Sequence, residues 1–518
     1  MRATFFGLEA ARTGLAISQK GLDVTGHNIA NVDTNGYTRQ RIITTAVDPY
    51  GAIAQFKPVD FSAVGSGVTV KILDQIRSVF FDRQYRTEQS LASNWNTRTQ
   101  GLTYVESLFE DQEDSALSNG MLYLFEGFMS LSTEANDKEQ RTVIQQAGIS
   151  LTDSFNQIYD RLVEHQENQN LSVEAVVGQI NTLANNIAEL NRSIYSYELN
   201  GQRANDLRDR RNLLLDELSC LVKIDYQEGE DNKLVLKVAG TELINHVTTT
   251  ELQLRSDTDP ITGLEVFRPT WDNTDPGSDL SAEALGGELK AHIQLRDNSG
   301  RDTSGIPFFI DQLNTLARGL VRMVNDIHSS GYSHPASGAS TTGINFFNEP
   351  SDITDVTAGN IRLDQRILDD VYNIAASDRQ VVLGPPTEDP LDPESSNQLQ
   401  EGNQHNARKM YDLINQTDLI LDPGGLNITI GGFNSFMTGI IMDVAITLQH
   451  SKTNSENQRI DLLAVDNQRT SISGVSLDEE MTNLIKYQHS YNGASRVITT
   501  MDEILDVLIN RMGLVGRS

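Results

Sequence analysis

Apolar residues near the start of the chain recur every seven positions, at Leu8, Leu15, Leu22 and Ile29. The chain ends on a second stripe of the same period, Leu477, Leu484, Tyr491, Ile498, Leu505 and Met512. A companion row three residues on, Tyr487, Ala494, Met501 and Leu508, widens that stripe into the a/d pattern of a coiled coil. Ser476 stands three residues before Glu479, so the spacing predicts a capping box in which each side chain accepts from the other's backbone N–H. Asp478, Glu479 and Glu480 also set negative charge against the positive end of the helix dipole. Such seams need a partner helix, and each terminal stripe is the obvious partner of the other. The first helix is predicted to stop at "NVDTNGY", where Asn31, Asp33, Asn35 and Gly36 favour turns and left-handed backbone.

Between the stripes the pattern changes three times. Residues from about 78 to 218 read as helix. The clearest part is Val173, Val176, Ile180, Leu183, Ile187, Leu190, Ile194 and Tyr197, an a/d seam with Asn, Gln, Glu and Ser between. From about 221 to 295, segments such as "CLVKIDYQ", "KLVLKVAG" and "TELQLRS" alternate or are rich in β-formers, and turn residues separate them. Helical signal returns at "IPFFIDQLNTLARGLVRMVNDIHSSGY", with Pro307 suited to the first turn. Residues 331–360 and 383–405 are Gly/Pro/Ser/Asn/Asp-rich and read as loop, and "LGPPTEDPLDPESSNQ" as the segment most open to disorder or nicking. Helix is predicted again by about 405 and from about 434.

The fold class is therefore mainly α with a β-rich section, multidomain and elongated. An inner coiled-coil domain is predicted from residues 1–60 with 465–518, and a long helical-bundle middle domain from 61–220 with 300–345 and 400–464. A small β-rich section covers 221–299, and a loop-rich outer excursion 346–400. At 518 residues the chain is too long for one ordinary core.

Charge sharpens this picture. The formal net charge is −30, yet residues 1–46 hold five Lys/Arg against three Asp/Glu, and residues 477–518 hold four against six. The two ends cancel, so the whole excess lies on the middle of the chain. That sign argues against nucleic acid or an anionic membrane as partner. No run of about 18 uncharged apolar residues suggests a membrane span. The first 26 residues are interrupted by Glu9, Arg12, Lys20 and Asp23 and do not read as a secretory signal.

Candidate chemistry is sparse. Cys220 is the single cysteine, read as a small apolar residue where a helix gives way to a strand; thiolate clusters and internal disulfides are excluded. Gly65 and Gly67 lack the third glycine of a dinucleotide fingerprint and read as turn chemistry. His328 and His334 are six apart in a turn-like stretch and read as loop residues, not metal ligands. In "WDNTDPGSDLSAE" (271–283), Asp272, Gly277 and Glu283 match positions 1, 6 and 12 of a calcium loop. Thr274 and Pro276 spoil positions 3 and 5 as usual ligands, so a surface turn is expected. No nucleophile elbow, phosphate loop or HExxH pair is present, so no catalytic residues, metal or cofactor are assigned.

The motif "NIANVDTNGYTRQ" resembles the N-terminal signature of bacterial flagellar axial proteins, on Asn28, Ile29, Ala30, Asn31, Thr34, Gly36 and Tyr37. "SGVSLDEE" (473–480), followed by Tyr487, Gln488 and Tyr491, is similar to the flagellar hook-associated protein 1 family, whose members join hook to filament. So are "GGELKAHIQLRD" (286–297), the helix at 312–332 and "INFFN" (344–348). His489 and Asn492-Gly493 depart from that pattern, and Gly493 should cost the helix about 1 kcal/mol relative to Ala. Residues 349–400 are short for members that carry a substantial β-rich outer domain.

The resemblance implies a non-enzymatic axial protein of the bacterial flagellum, exported through the flagellar type III channel without a cleaved signal peptide and extracellular once assembled. It implies self-assembly into a ring or helical layer through the terminal helices. The implied partners are the hook protein, a second hook–filament junction protein, and an export chaperone on the C-terminal segment. Three alternatives accompany it: another axial protein (a hook or rod subunit, or the second junction protein), a hydrolase using the middle domain, and an adhesive or immune-recognised surface on 221–300.

Overall fold

The first and last helices carry the terminal stripes, the second as far as Leu505, in the computed structural model, which describes residues 6–47, 67–109, 116–229, 233–271, 280–335, 340–350, 353–380, 403–416, 419–420, 429–430 and 432–507. Helix α1 (Phe6–Ala30) leads into an antiparallel hairpin of β1 (Gln40–Ala46) and β2 (Val68–Gln75). Helices α2 (Val79–Phe109), α3 (Ala116–Leu131), α4 (Lys138–Glu198) and α5 (Asn205–Leu221) follow. Next come β3 (Ile224–Glu228), β4 (Leu234–Val238), β5 (Thr241–Asn245) and β6 (Thr248–Thr249), an antiparallel sheet in sequence order. A separate hairpin joins β7 (Leu252–Thr258) to β8 (Glu265–Trp271). The chain then returns to helix: α6 (Ala282–Leu285), α7 (Gly287–Asp297), α8 (Ile306–Ser330), α9 (Gln365–Asp369), α10 (His405–Asp412), α11 (Phe433–Ser473) and α12 (Leu477–Asp506). The β-rich section thus ends earlier than its alternation suggested. "GGELKAHIQLRD" is α7, which buries Leu289, Ile293 and Leu295.

Helix α4 runs 61 residues, about 90 Å at 1.5 Å per residue, and divides its length between two cores. Its first half gives Ile144, Leu151, Phe155 and Leu162 to a core shared with α2, α3, α8, α10 and α11. Its second half gives Val173, Val176, Ile180, Ala184 and Ile187 to a core shared with α5, the four-stranded sheet and α7. Val177, Ala184, Ala188 and Asn191 add a third buried row, whereas Tyr197 is exposed. The predicted seam is therefore one part of a broad packing face.

Residues 346–378 do not form an outer excursion. Phe346, Phe347, Val356, Ile361, Leu363, Ile367 and Ile374 are buried in the larger core. Burial of each of the two phenylalanines is worth about 2–3 kcal/mol, ample to hold an irregular stretch against the bundle. Of the loop expected at 383–405, residues 383–402 lie outside the described residues, and His405 already opens α10.

Asparagines explain how strands and irregular chain dock onto helices. A backbone amide pair facing a helix has no ladder partner, and a carboxamide offers the same donor and acceptor. Asn181 of α4 donates to Leu252 O and accepts from Leu252 N, both at 2.9 Å. Asn170 does the same for Glu265 O and Phe267 N at 3.0 and 2.8 Å. Asn325 of α8 accepts from Phe346 N and Phe347 N and donates to Phe347 O.

Candidate functional site

The motif at residues 28–37 builds the foot of a terminal helix pair. Asn31 ends α1 by donating its Nδ2 to His27 O at 2.9 Å, and Thr34 Oγ1 donates to Asn31 Oδ1 at 3.2 Å. Tyr37 N closes the turn onto Thr34 O, with Gly36 at φ +77 where a side chain would be strained. Asn28, 1% exposed, is the hub. Its Oδ1 accepts from Gln40 N (3.0 Å) and Tyr37 OH (2.7 Å), while its Nδ2 donates to Gln40 O (2.9 Å) and Glu480 Oε2 (3.1 Å). One side chain thereby ties α1, the turn, β1 and α12 together. Ile29 is half-buried and Ala30 exposed.

The capping box does not form. Ser476 is the backbone N-cap of α12 but makes no side-chain cap hydrogen bond, and Glu480 N donates to Ser476 O at 2.9 Å. Glu479 is drawn instead to Arg39, whose Nη1 lies 2.5 Å from its carboxylate. Arg39 also donates Nε to Glu480 Oε1 at 2.8 Å, and its backbone N to Ser473 O at 3.0 Å. A charged guanidinium donor outcompetes a neutral backbone N–H for the glutamate.

Below the foot, a buried ion network joins the hairpin to the body. Thr38 N donates to Asp209 Oδ2 at 3.1 Å, and Arg77 donates to Thr38 Oγ1 and Asp82. Arg469 of α11 bridges Asp82 (3.1 Å) and Asp216 (2.6 Å), and Asp216 also pairs with Arg86 at 2.7 Å. Gln75 Nε2 reaches Asp209 Oδ1 at 2.7 Å. Burial pushes Asp209 up to about 6, against the lowering effect of its Thr38 hydrogen bonds and the Arg77 charge. Tyr37 is held well above the ordinary phenol range, by burial first and then by the carboxylates of Asp206, Asp209 and Glu480.

The two terminal helices pair antiparallel. A Cβ on Gly7 would lie 2.8 Å from Met501 Cε, one on Gly21 would lie 2.5 Å from the Tyr487 ring, and Asn28 bonds Glu480. The same register sets Gly14 across from Ala494. On α1 the seam is small: Gly7, Ala11, Gly14, Ser18, Gly21, Thr25 and Asn28 advance by alternating steps of four and three. On α12, Leu484, Tyr491, Ile498 and Leu505 and the companion row Tyr487, Ala494 and Met501 are half-buried along it. Large residues on one helix fill the room left by small ones on the other. The stripe Leu8, Leu15, Leu22, Ile29 lies to one side of this seam and stays half-exposed. Leu477 is 49% exposed, and Met512 and Leu508 lie outside the described residues. Helix α12 runs unbroken through Asn492-Gly493.

The remaining candidates have structural surroundings. His328 is fully buried, its Nδ1 2.6 Å from Ile344 O and its Nε2 accepting from Ala375 N at 3.0 Å. That arrangement holds it neutral, and burial lowers its pKa to about 4. His334 stacks on Tyr372 with centroids 5.1 Å apart. Cys220 is half-buried near the end of α5, accepts from Gln89 Nε2 at 2.8 Å, and has its thiol pushed up by burial. Residues 272–279 of the calcium-like stretch lie outside the described residues. Among the described residues no group of three His, Cys, Asp or Glu could hold a metal, and no helix is long and apolar enough to cross a membrane.

Three family models match in chain order. "Flagella basal body rod protein" covers residues 8–38, "Flagellar hook-associated protein FlgK helical domain" covers 102–347, and "Flagellar basal body rod FlgEFG protein C-terminal" covers 467–512. Flagellar hook-associated protein 1 of Bacillus subtilis is 28% identical over 542 residues, the full length of both chains. Its counterparts in Salmonella typhimurium and Escherichia coli K12 are each 25% identical over 96% of this chain and 98% of their own. The structure of the flagellar hook junction protein FlgK from Burkholderia pseudomallei shares the fold, with a TM-score of 0.57 at 13% identity over 76% of this chain and 100% of that one. The two outer matches contain the Asn28 foot and its Glu480 partner, and the central match runs through both cores.

Proposed function

This chain belongs to the flagellar hook-associated protein 1 family, and from that premise we propose that it is a structural adaptor joining the flagellar hook to the filament. The observation that carries the reading is the division of labour on α1. Its small seam is occupied by α12, while Leu8, Leu15, Leu22 and Ile29 lie beside that seam and each remain partly exposed. On α12, Leu477, Met481, Ile485, Val497 and Ile504 are 44–53% exposed. A two-helix pair with apolar side chains left on both outer flanks is completed by neighbouring copies in a ring or helical layer, through contacts that are heterologous. The hook protein below and a second junction protein above are the other partners, and an export chaperone covers the C-terminal segment beforehand.

The chain works outside the cell after export and does no chemistry. Its −30 charge, concentrated away from the ends, keeps free copies apart until the terminal helices are brought together. The test is a truncation ending at Ser476, added to isolated hooks alongside the full chain. The full chain should cap the hooks and the truncation should stay soluble and unbound. Ordered junctions built by the truncation would overturn the reading.

A further inference from the structure

Helix α11 carries apolar residues on two opposite faces. Phe433, Ile440, Val444, Leu448 and Ser451 are buried on the inner one. Nine residues make two and a half turns, so Met442 lies diametrically opposite both Phe433 and Ser451. Met442, Ile446, Ile460 and Leu463 are 57, 60, 53 and 48% exposed. All four fall on one row that advances from 442 to 467 by alternating steps of four and three, and every position of that row is exposed. Met442/Ile446 and Ile460/Leu463 are two apolar pairs at coiled-coil spacing with Gln449, Thr453 and Glu456 between them, so what fits the row is another helix that meets it at two points. Its only charge is Glu456, which Arg459 pairs at 2.7 Å.

We propose that this row is a second self-contact, which receives a helix of a neighbouring copy in the assembled junction; it rests on the adaptor reading above. Three observations favour a copy of this chain. The row's one charge is paired, in a chain of net charge −30, so here two acidic bodies can approach. The helix leads through Gly474 into α12, which itself exposes Leu477, Met481 and Ile485, so both halves of this helical run present apolar side chains to a neighbour. The apolar area on offer is on the order of 400 Å², about half of the roughly 800 Å² each partner gives a standard interface. That is too little to hold two free copies, and suits a contact made only where the terminal helices already hold neighbours together.

The test is the double variant Ile446→Glu/Ile460→Glu in the full chain, expressed in cells lacking the native copy, with secreted amounts matched. Because both positions are exposed, the purified variant should keep the helix content and Tm of the parent, while hooks bearing filaments fall at least tenfold. In a Cys220→Ser background, maleimide should label Ile460→Cys at least tenfold faster in the free chain than in assembled junctions. Filaments as frequent as in the parent, with equal labelling in both states, would overturn the proposal. So would a stable dimer of the free chain that the double variant dissolves, since the contact would then belong to solution. Absence of the unmodified chain from the hook tip would instead overturn the adaptor reading.

Discussion

Replacing Asn28 by Asp should loosen the terminal helix pair more than replacing it by Ala, although Asp is the closer match in shape. Alanine removes two acceptor bonds, to Gln40 N and Tyr37 OH, and two donor bonds, to Gln40 O and Glu480. Orphaned buried groups cost about 1–3 kcal/mol each, partly relieved by water entering the vacated space, so a loss of about 2–4 kcal/mol is expected. Aspartate keeps the acceptor side but sets an oxygen where the Nδ2 donor now lies, 2.9 Å from Gln40 O and 3.1 Å from Glu480 Oε2. Two carboxylates at that separation repel by about 5 kcal/mol at an effective dielectric near 20, of which Arg39 offsets part. The assay is amide hydrogen exchange on α1 and α12, expressed as protection factors, at pH 7.5 and pH 5. Each 1.4 kcal/mol is tenfold, so Ala should lower protection about 30-fold to 1,000-fold, or to none where the pair is less stable than that. Asp should lower it further at pH 7.5 and recover toward pH 5, as the carboxylate pair comes to share a proton. Parent-like protection in Asn28→Asp at pH 7.5, or a deficit independent of pH, would refute the reasoning.

Alanine at two glycines of α1 should act in opposite directions. Gly14→Ala meets no atom within 4 Å and should stabilise the helix by about 0.5–1 kcal/mol, whereas a Cβ at Gly21 meets the Tyr487 ring and should force the helices apart; the same exchange experiment reads both. His328 titrates near 6.5 when unfolded and near 4 in place, so its contribution is complete above pH 6.5 and is lost as pH falls toward 4, by about 3 kcal/mol. Urea midpoints between pH 7 and 4.5 should show that loss, and His328→Gln should flatten it. Asp209 has the opposite sign: its pKa is raised from 3.8 to about 6, so its contribution is lost as pH rises through 6. Urea midpoints should fall between pH 5 and pH 8 on this account, and Asp209→Asn should remove that part of the fall. Asn181→Ala frees both backbone groups of Leu252 and should cost about 1–2 kcal/mol, seen as a lower Tm.

Periodicity made the helices legible, because a helix that buries one face must repeat its apolar residues at 3.5 to 3.6. Both terminal stripes, the seam within α4 and the change to strand near 221 were readable for that reason. What periodicity missed on α1 was the seam itself. Gly7, Gly14 and Gly21 carry the same heptad as the leucines, but a count of apolar residues passes over glycine, and close approach shows only once the partner helix is in place. The capping box failed because Glu479 had a competitor 440 residues away in sequence, which no local rule includes. The loop-rich excursion expected over 346–400 rested on turn formers, whereas the structure buries Phe346, Phe347 and much of the chain to 378 in the larger core. Asn28 was legible as part of a motif but not as the residue that joins the two ends of the chain. That role depends on its four hydrogen bonds, and a carboxamide in a sequence does not reveal whether it will replace a backbone partner.

Deleting the gene from its native host, imaging the cells by electron microscopy and assaying the medium for flagellin tests the adaptor role most directly. The account predicts hooks without filaments and flagellin lost to the medium, restored by the full chain and not by the truncation ending at Ser476. Filaments of normal number and length on the deleted cells would contradict it.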